Sequence, residues 1–205
     1  MQVSYQNPQA DAWHRAVLDN SAAFPLRFSC GGRIIHGFPE SEFARVDQSE
    51  HREGGRLVTE IVFQKDDCLF ATLRCAFYGE YGISEWTVWF ENRGQRDTDV
   101  LSDAETVLTF PGKYPVLRGI LGDHGNDYRP YALDVASQPR YFESNSGRAT
   151  HVNFPYFNLE YGDGGVILAI GWAGTWRAGF RFDAATRGTT VTARAVNRLK
   201  SNLPP

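Results

Sequence analysis

From Leu26 to Ala195 the chain is a succession of short apolar segments, none longer than eleven residues before Gly, Pro, Asn or Asp closes it. Gly and Pro at that density break the long 3.6-residue periodicity a helical fold requires. What survives between the breaks is alternation, with aromatic and β-branched residues on one face of an extended segment. The supply of large side chains is generous, with 14 Phe, 9 Tyr and 5 Trp against 20 Gly and 10 Pro in 205 residues. The expected fold is therefore all-β, a large two-sheet antiparallel β-sandwich (a supersandwich) with one short N-terminal helix. The length fits a single domain over 1–205.

The helix is expected over 10–20, where Trp13, Ala16 and Val17 fall at i, i+3, i+4. Segments 26–30 and 34–38 flank Gly31-Gly32, a hairpin signal. Further strands are expected at 56–64, 68–78, 84–92, 106–110, 156–161, 166–171, 176–182 and 189–195. The last four form a meander, with a turn at Asp163-Gly164-Gly165. Residues 118–153 hold little apolar periodicity and many Gly, Asp, Asn, Ser and Pro. They read as a long polar loop at one edge, a kind of segment that often carries function.

The formal net charge of −3 gives no basic face for a nucleic acid. The longest apolar stretch, 166–172, is far short of a membrane-spanning helix. We therefore expect neither nucleic-acid nor membrane partners. Cys30, Cys68 and Cys75 are odd in number and form no CxxC, so they read as buried small hydrophobes in a reducing compartment. The first residues lack a basic n-region followed by an apolar h-region. These features point to a cytoplasmic protein, with secretion as the alternative.

Catalytic signatures are sparse. There is no GxSxG, no HExxH and no phosphate-cradling Gly loop that leads into a helix. No cofactor and no metal are expected. Gly122-Asp123-His124-Gly125-Asn126-Asp127 could hold a cation, but a Gly/Asp/Asn turn accounts for the same letters. His14, His36, His51, His124 and His151 are scattered along the chain and read as surface or hydrogen-bonded residues. Close carboxylates (Asp66-Asp67, Glu40/Glu42, Asp97/Asp99) fall in turns and edges, so they do not define a glycosidase pair.

Ile170–Trp176 is more informative: it places Trp172 and Trp176 around Gly171 and Gly174. An indole face packs well on the flat apolar face of a pyranose, and flanking Gly lets the ring be approached. Core packing accounts for either Trp equally well.

The same region carries a family resemblance. Ser146-Gly147-Arg148-Ala149-Thr150-His151 with Pro155-Tyr156-Phe157, Gly171-Trp172-Ala173-Gly174-Thr175-Trp176, and Ser84-Glu85-Trp86-Thr87-Val88-Trp89-Phe90-Glu91-Asn92 resemble segments of the N-terminal β-sandwich domain of glycoside hydrolase family 36 α-galactosidases. Asp127-Tyr128-Arg129-Pro130 sits where that family has a charged stretch ending in an Arg-Pro-like turn, and the resemblance spans most of 55–200. The resemblance implies a non-catalytic domain that supports a following (β/α)8 barrel and walls its substrate site. The two catalytic Asp would lie in that barrel, for which this chain has no room, and no catalytic residue is expected here. It also implies that 198–205 is a linker to the barrel. Trp172, Trp176, Arg148 and His151 are the expected substrate-rim or domain-interface residues. The implied partners are the chain's own C-terminal barrel and an α-galactoside, with homo-oligomerisation left open. Two other readings compete. One is a free-standing carbohydrate-binding module built on Trp172 and Trp176. The other is a mutarotase-like sugar enzyme drawing on His36, His124 and His151.

Overall fold

The computed structural model describes residues 8–125, 128–162, 164–196 and 201–205. Asp127 of the cation and Arg-Pro motifs, Asp163 of the expected turn and residues 198–200 of the expected linker lie outside them. Among the described residues are fourteen strands, all paired antiparallel where they pair, and one α-helix. The fold is all-β with a short N-terminal helix, the class the punctuated aromatic pattern implies. The chain divides into two compact units, 1–102 with 200–205 and 103–199.

In the first unit α1 (Pro8–Asp19) opens with Pro at the position where a missing N–H costs nothing. Its buried face is not quite the expected one: His14 is buried, and Val17 and Leu18 pack on the core, while Trp13 stays partly exposed against Trp86. β1 (Leu26–Cys30) and β2 (Arg33–His36) form the expected hairpin. Gly31 and Gly32 both have positive φ, which a two-residue turn matched to the strand twist requires. β3 (Ala44–Glu53), β4 (Arg56–Gln64), β5 (Leu69–Tyr78) and β6 (Ile83–Asn92) form a sheet in that order. Asp66 closes the β4–β5 turn by accepting from the N–H groups of Cys68 and Leu69 at 2.8 and 2.9 Å. The core is largely aromatic: Phe38 stacks on Phe63 at 4.2 Å, Phe28 lies 5.0 Å from Phe90, and Cys30 and Cys75 fill the gaps between rings. Cys30, Cys68 and Cys75 are all buried, as expected.

β3 was not legible in the sequence. All ten of its residues are exposed, so it shows no alternation; it pairs with β4, and Arg45 and Glu53 add polar contacts to Leu18 O and Arg74. Its charged residues suit an edge strand, because they discourage pairing with a foreign chain.

The second unit contains β7 (Leu101–Pro111, from Asp103 onward), β8 (Val116–Leu121), β9 (Pro130–Asp134), β10 (Arg140–Ser144), β11 (Asn153–Tyr161), β12 (Gly164–Ala169), β13 (Trp176–Asp183) and β14 (Gly188–Ala195). β12–β11–β8–β9 pair in one layer and β10–β13–β14–β7 in the other. Their inner faces meet in a second core, where Leu117, Phe157 and Leu159 pack with Phe142, Trp176, Phe180 and Val191. The stretch 118–153 is thus not one loop, since β8, β9 and β10 run through it. They are five or six residues long, and Pro130, Gly119 and Arg140 interrupt their alternation, which hides them from a periodicity search.

Candidate functional site at one end of the second unit

Beyond Leu121 the chain leaves β8 as Gly122-Asp123-His124 and pairs with 150–152 ahead of β11. Gly122 N donates to Val152 O, Asp123 N to Thr150 O and His124 N to His151 O, each at 2.8 Å. A Cβ on Gly122 would run into the Thr150 carbonyl and the backbone carbon of Val152, so only glycine permits the approach. The pairing brings side chains 25 to 28 positions apart into one polar cluster.

Arg148 Nη1 lies 3.1 Å from Asp123 Oδ2, an oxygen that also accepts from the Thr150 hydroxyl at 3.2 Å. Arg148 Nη2 meets His151 Nδ1 at 2.8 Å. Arginine can only donate, so His151 Nδ1 is the acceptor in this contact. The His151 and His124 rings lie 4.4 Å apart. Asp123 Oδ1 is buried with no hydrogen-bond partner. Among the described residues no group of three or more His, Cys, Asp or Glu is arranged to hold a metal.

The 145–151 loop is fastened from below. The Ser144 hydroxyl donates to the Arg148 carbonyl, and Trp176 Nε1 donates to Ala149 O at 2.7 Å. Gly147 N donates to Thr175 Oγ1 at 3.3 Å, which ties this loop to the β12–β13 connection that carries Trp172.

The two Trp residues therefore have different places. Trp176 is 0% exposed, edge-on to Phe157 at 5.8 Å, and lies in the core. Trp172 is 45% exposed, and its indole edge lies over Gly174, where a Cβ would come within 2.9 Å of Nε1. Arg148 is 58% exposed and its pairing to Asp123 links the loop to the 122–124 turn. Of the four expected rim or interface residues, Arg148 and His151 touch directly, Trp172 is linked to them through Thr175 and Gly147, and Trp176 supports the loop beneath them. Of the partners that organise the cluster, Thr150, Ser144 and Thr175 were not expected from the sequence; Asp123 was visible only within Gly122-Asp123-His124, read there as a turn that could hold a cation. His36 belongs to β2 of the first unit, so it is not part of the cluster.

No protein-family model and no curated protein matches the chain. Solved structures do. The galactosidase domain of the α-galactosidase–sucrose kinase AgaSK aligns over 87% of this chain with TM-score 0.64 and 16% identity. The GH36 α-galactosidase AgaA from Geobacillus stearothermophilus aligns over 88% with TM-score 0.62 and 15% identity. The α-galactosidase from Lactobacillus brevis aligns over 88% with TM-score 0.66 and 12% identity. The chain shares its fold with part of the GH36 α-galactosidases. The likeness is broader than the sequence resemblance, which spans most of 55–200. This chain spans 27%, 28% and 27% of those three proteins in turn. Their solved forms include AgaA in complex with raffinose and with stachyose.

Proposed function

We propose that this chain is the non-catalytic N-terminal β-sandwich domain of an α-galactosidase-like glycoside hydrolase. In this reading it supports a (β/α)8 barrel that holds the two catalytic carboxylates, and it walls the substrate site with Trp172, Arg148 and His151. The observation that carries the reading is the fold likeness over 87–88% of this chain to about a quarter of larger α-galactosidases. The loop cluster supports it chemically. An exposed indole offers a flat face to a sugar ring, and an exposed guanidinium offers forked donors to its hydroxyls. The parent reaction would be double displacement with retention, using carboxylates about 5–5.5 Å apart in the barrel.

The intact mass of the gene product in its source cells tests this directly. The expected result is a mass well above 23.0 kDa in a species that hydrolyses raffinose. A native product near 23.0 kDa overturns the reading. In the full enzyme, Trp172→Ala should raise KM for raffinose with little change in kcat, the pattern of lost uniform binding.

One observation favours a second reading: the His124 and His151 rings lie 4.4 Å apart and Arg148 joins His151 to the Asp123 carboxylate, a set of the His and carboxylate groups that a mutarotase-like enzyme would need. Galactose mutarotation by this chain that is lost in His151→Ala and His124→Ala would favour it; an unchanged rate in both variants excludes it.

A further inference from the structure

The chain runs through the second unit and then returns, since residues 201–205 belong to the first unit again. Ser201, Asn202 and Leu203 lie along 97–101. Leu101 N donates to Ser201 O at 2.9 Å and Ser201 N to Leu101 O at 3.2 Å, the two-way exchange of an antiparallel pair. Thr98 N donates to Leu203 O at 3.1 Å, and Leu203 N donates to the Thr98 hydroxyl at 2.9 Å, so a side-chain oxygen stands where a ladder would put a carbonyl. The Asn92 amide donates at 2.8 Å to both Leu203 O and Arg96 O, which ties the end of β6, the turn after it and the returning segment together. Asn202 Nδ2 donates to the Asp97 carboxylate, and the Leu203 side chain packs on the first core.

These bonds serve backbone that has little access to water. Leu101 is 6% exposed and Thr98 8%. Backbone groups at such positions are almost always paired, because an orphaned one costs as much as a lost hydrogen bond. Without 201–203 the N–H groups of Thr98 and Leu101 lose their acceptors, and the core beside Leu101 loses the cover of Leu203. On its other side the 97–101 segment meets the tip of the β1–β2 hairpin, where Gly31 N donates to Val100 O at 3.0 Å. It is thus held between a neighbour from the same unit and residues that arrive from 105 positions further along the chain.

We propose that Ser201–Leu203 is a clasp of the first unit, a strap whose docking closes the 97–101 edge and whose release opens it. The first unit then reaches its full stability only when a segment that follows the second unit has come back to it. Pro204 and Pro205 come next, both exposed, with φ fixed by their rings. Any chain that continued past them would depart from the first unit, and a displacement of that chain would act first on 97–101. The clasp is independent of the sugar-site reading, because Trp172, Arg148 and His151 belong to the second unit.

Amide hydrogen exchange of the 205-residue chain tests the proposal. In the parent chain the amides of Thr98, Leu101, Ser201 and Leu203 should exchange together, as one opening unit. Leu203→Asp sets a carboxylate against the core and should speed exchange at Thr98 and Leu101 roughly tenfold or more, with β11 and β14 of the second unit unchanged. Ser201→Pro removes the N–H that Leu101 O accepts, at an exposed position that leaves the core untouched. It should move the same amides in the same direction, which separates release of the clasp from general unfolding. Protection at Thr98 and Leu101 that survives both variants, or a loss in both that is equal in the two units, overturns the proposal.

Discussion

Two tryptophans four residues apart should behave as opposites. In Trp176→Phe the indole N–H that reaches Ala149 O at 2.7 Å is lost, leaving a partly buried carbonyl without its donor. An orphaned acceptor costs about 1–3 kcal/mol. The smaller ring also leaves space against Phe157 and Phe180, where Trp176 is 0% exposed, and the lost contacts add about 1 kcal/mol. Together these come to about 3 kcal/mol, a large share of the ~5–15 kcal/mol that stabilises a typical domain. For a chain of 205 residues that corresponds to a melting temperature lower by about 6–12 °C. Trp172→Phe, at a half-exposed position, should stay within about 0.5 kcal/mol of the parent chain. Thermal melts followed by near-UV circular dichroism measure both. Near-neutral behaviour of Trp176→Phe, or an equal loss in Trp172→Phe, would refute the assignment of one ring to the core and the other to the surface.

Two further outcomes follow from the geometry. Gly122→Ala drives a Cβ into the Thr150–Val152 backbone, an overpacking that costs about 1–3 kcal/mol, and should lower the melting temperature by about 2–12 °C. His14 is buried against Phe77 at 4.9 Å, with Nδ1 3.0 Å from Ser84 Oγ. Burial pulls its pKa below 6.5 despite the opposing pull of Asp11 and Glu50. The unfolded chain therefore takes up a proton first as pH falls, and the stability that neutral His14 supplies is full above 6.5 and is lost from there down to its depressed folded value. Melts at about pH 5 and pH 8 should differ less in His14→Gln than in the parent chain; an equal difference in both would exclude this source.

The class of fold was legible because Gly and Pro spacing limits element length and alternation assigns a face. Gly31-Gly32 marked its hairpin for a mechanical reason, the positive φ that both residues adopt. β3 was invisible because an edge strand exposed along its whole length leaves no hydrophobic trace. In α1 the face prediction slipped by one position because His14, a polar residue by type, has its ring stacked on Phe77 and its Nδ1 bonded to Ser84, while its Nε2 is buried with no hydrogen-bond partner. Periodicity counts apolar letters, whereas an imidazole ring can be buried for the contacts its carbon face makes.

The candidate site was legible in pieces only. Arg148, His151 and Trp172 stood out by residue type and by motif, but the pairing of 122–124 with 150–152 that brings the cluster together is nonlocal. That pairing depends on a glycine close approach that no local pattern encodes. The distinction between Trp172 and Trp176 also came from the tertiary structure, since both lie in one Gly-flanked segment. The strand parity of β13 turns Trp176 inward onto Phe157, while the preceding connection leaves Trp172 outside the sheet. The same logic explains how a fold can be shared at 12–16% identity. A sandwich core requires apolar volume at alternate positions and turn residues between strands, conditions that many sequences meet. A rim residue must instead be one particular side chain at one place. Functional likeness therefore has to be tested by replacing Trp172, Arg148 and His151 and measuring binding, rather than inferred from the layers that hold them.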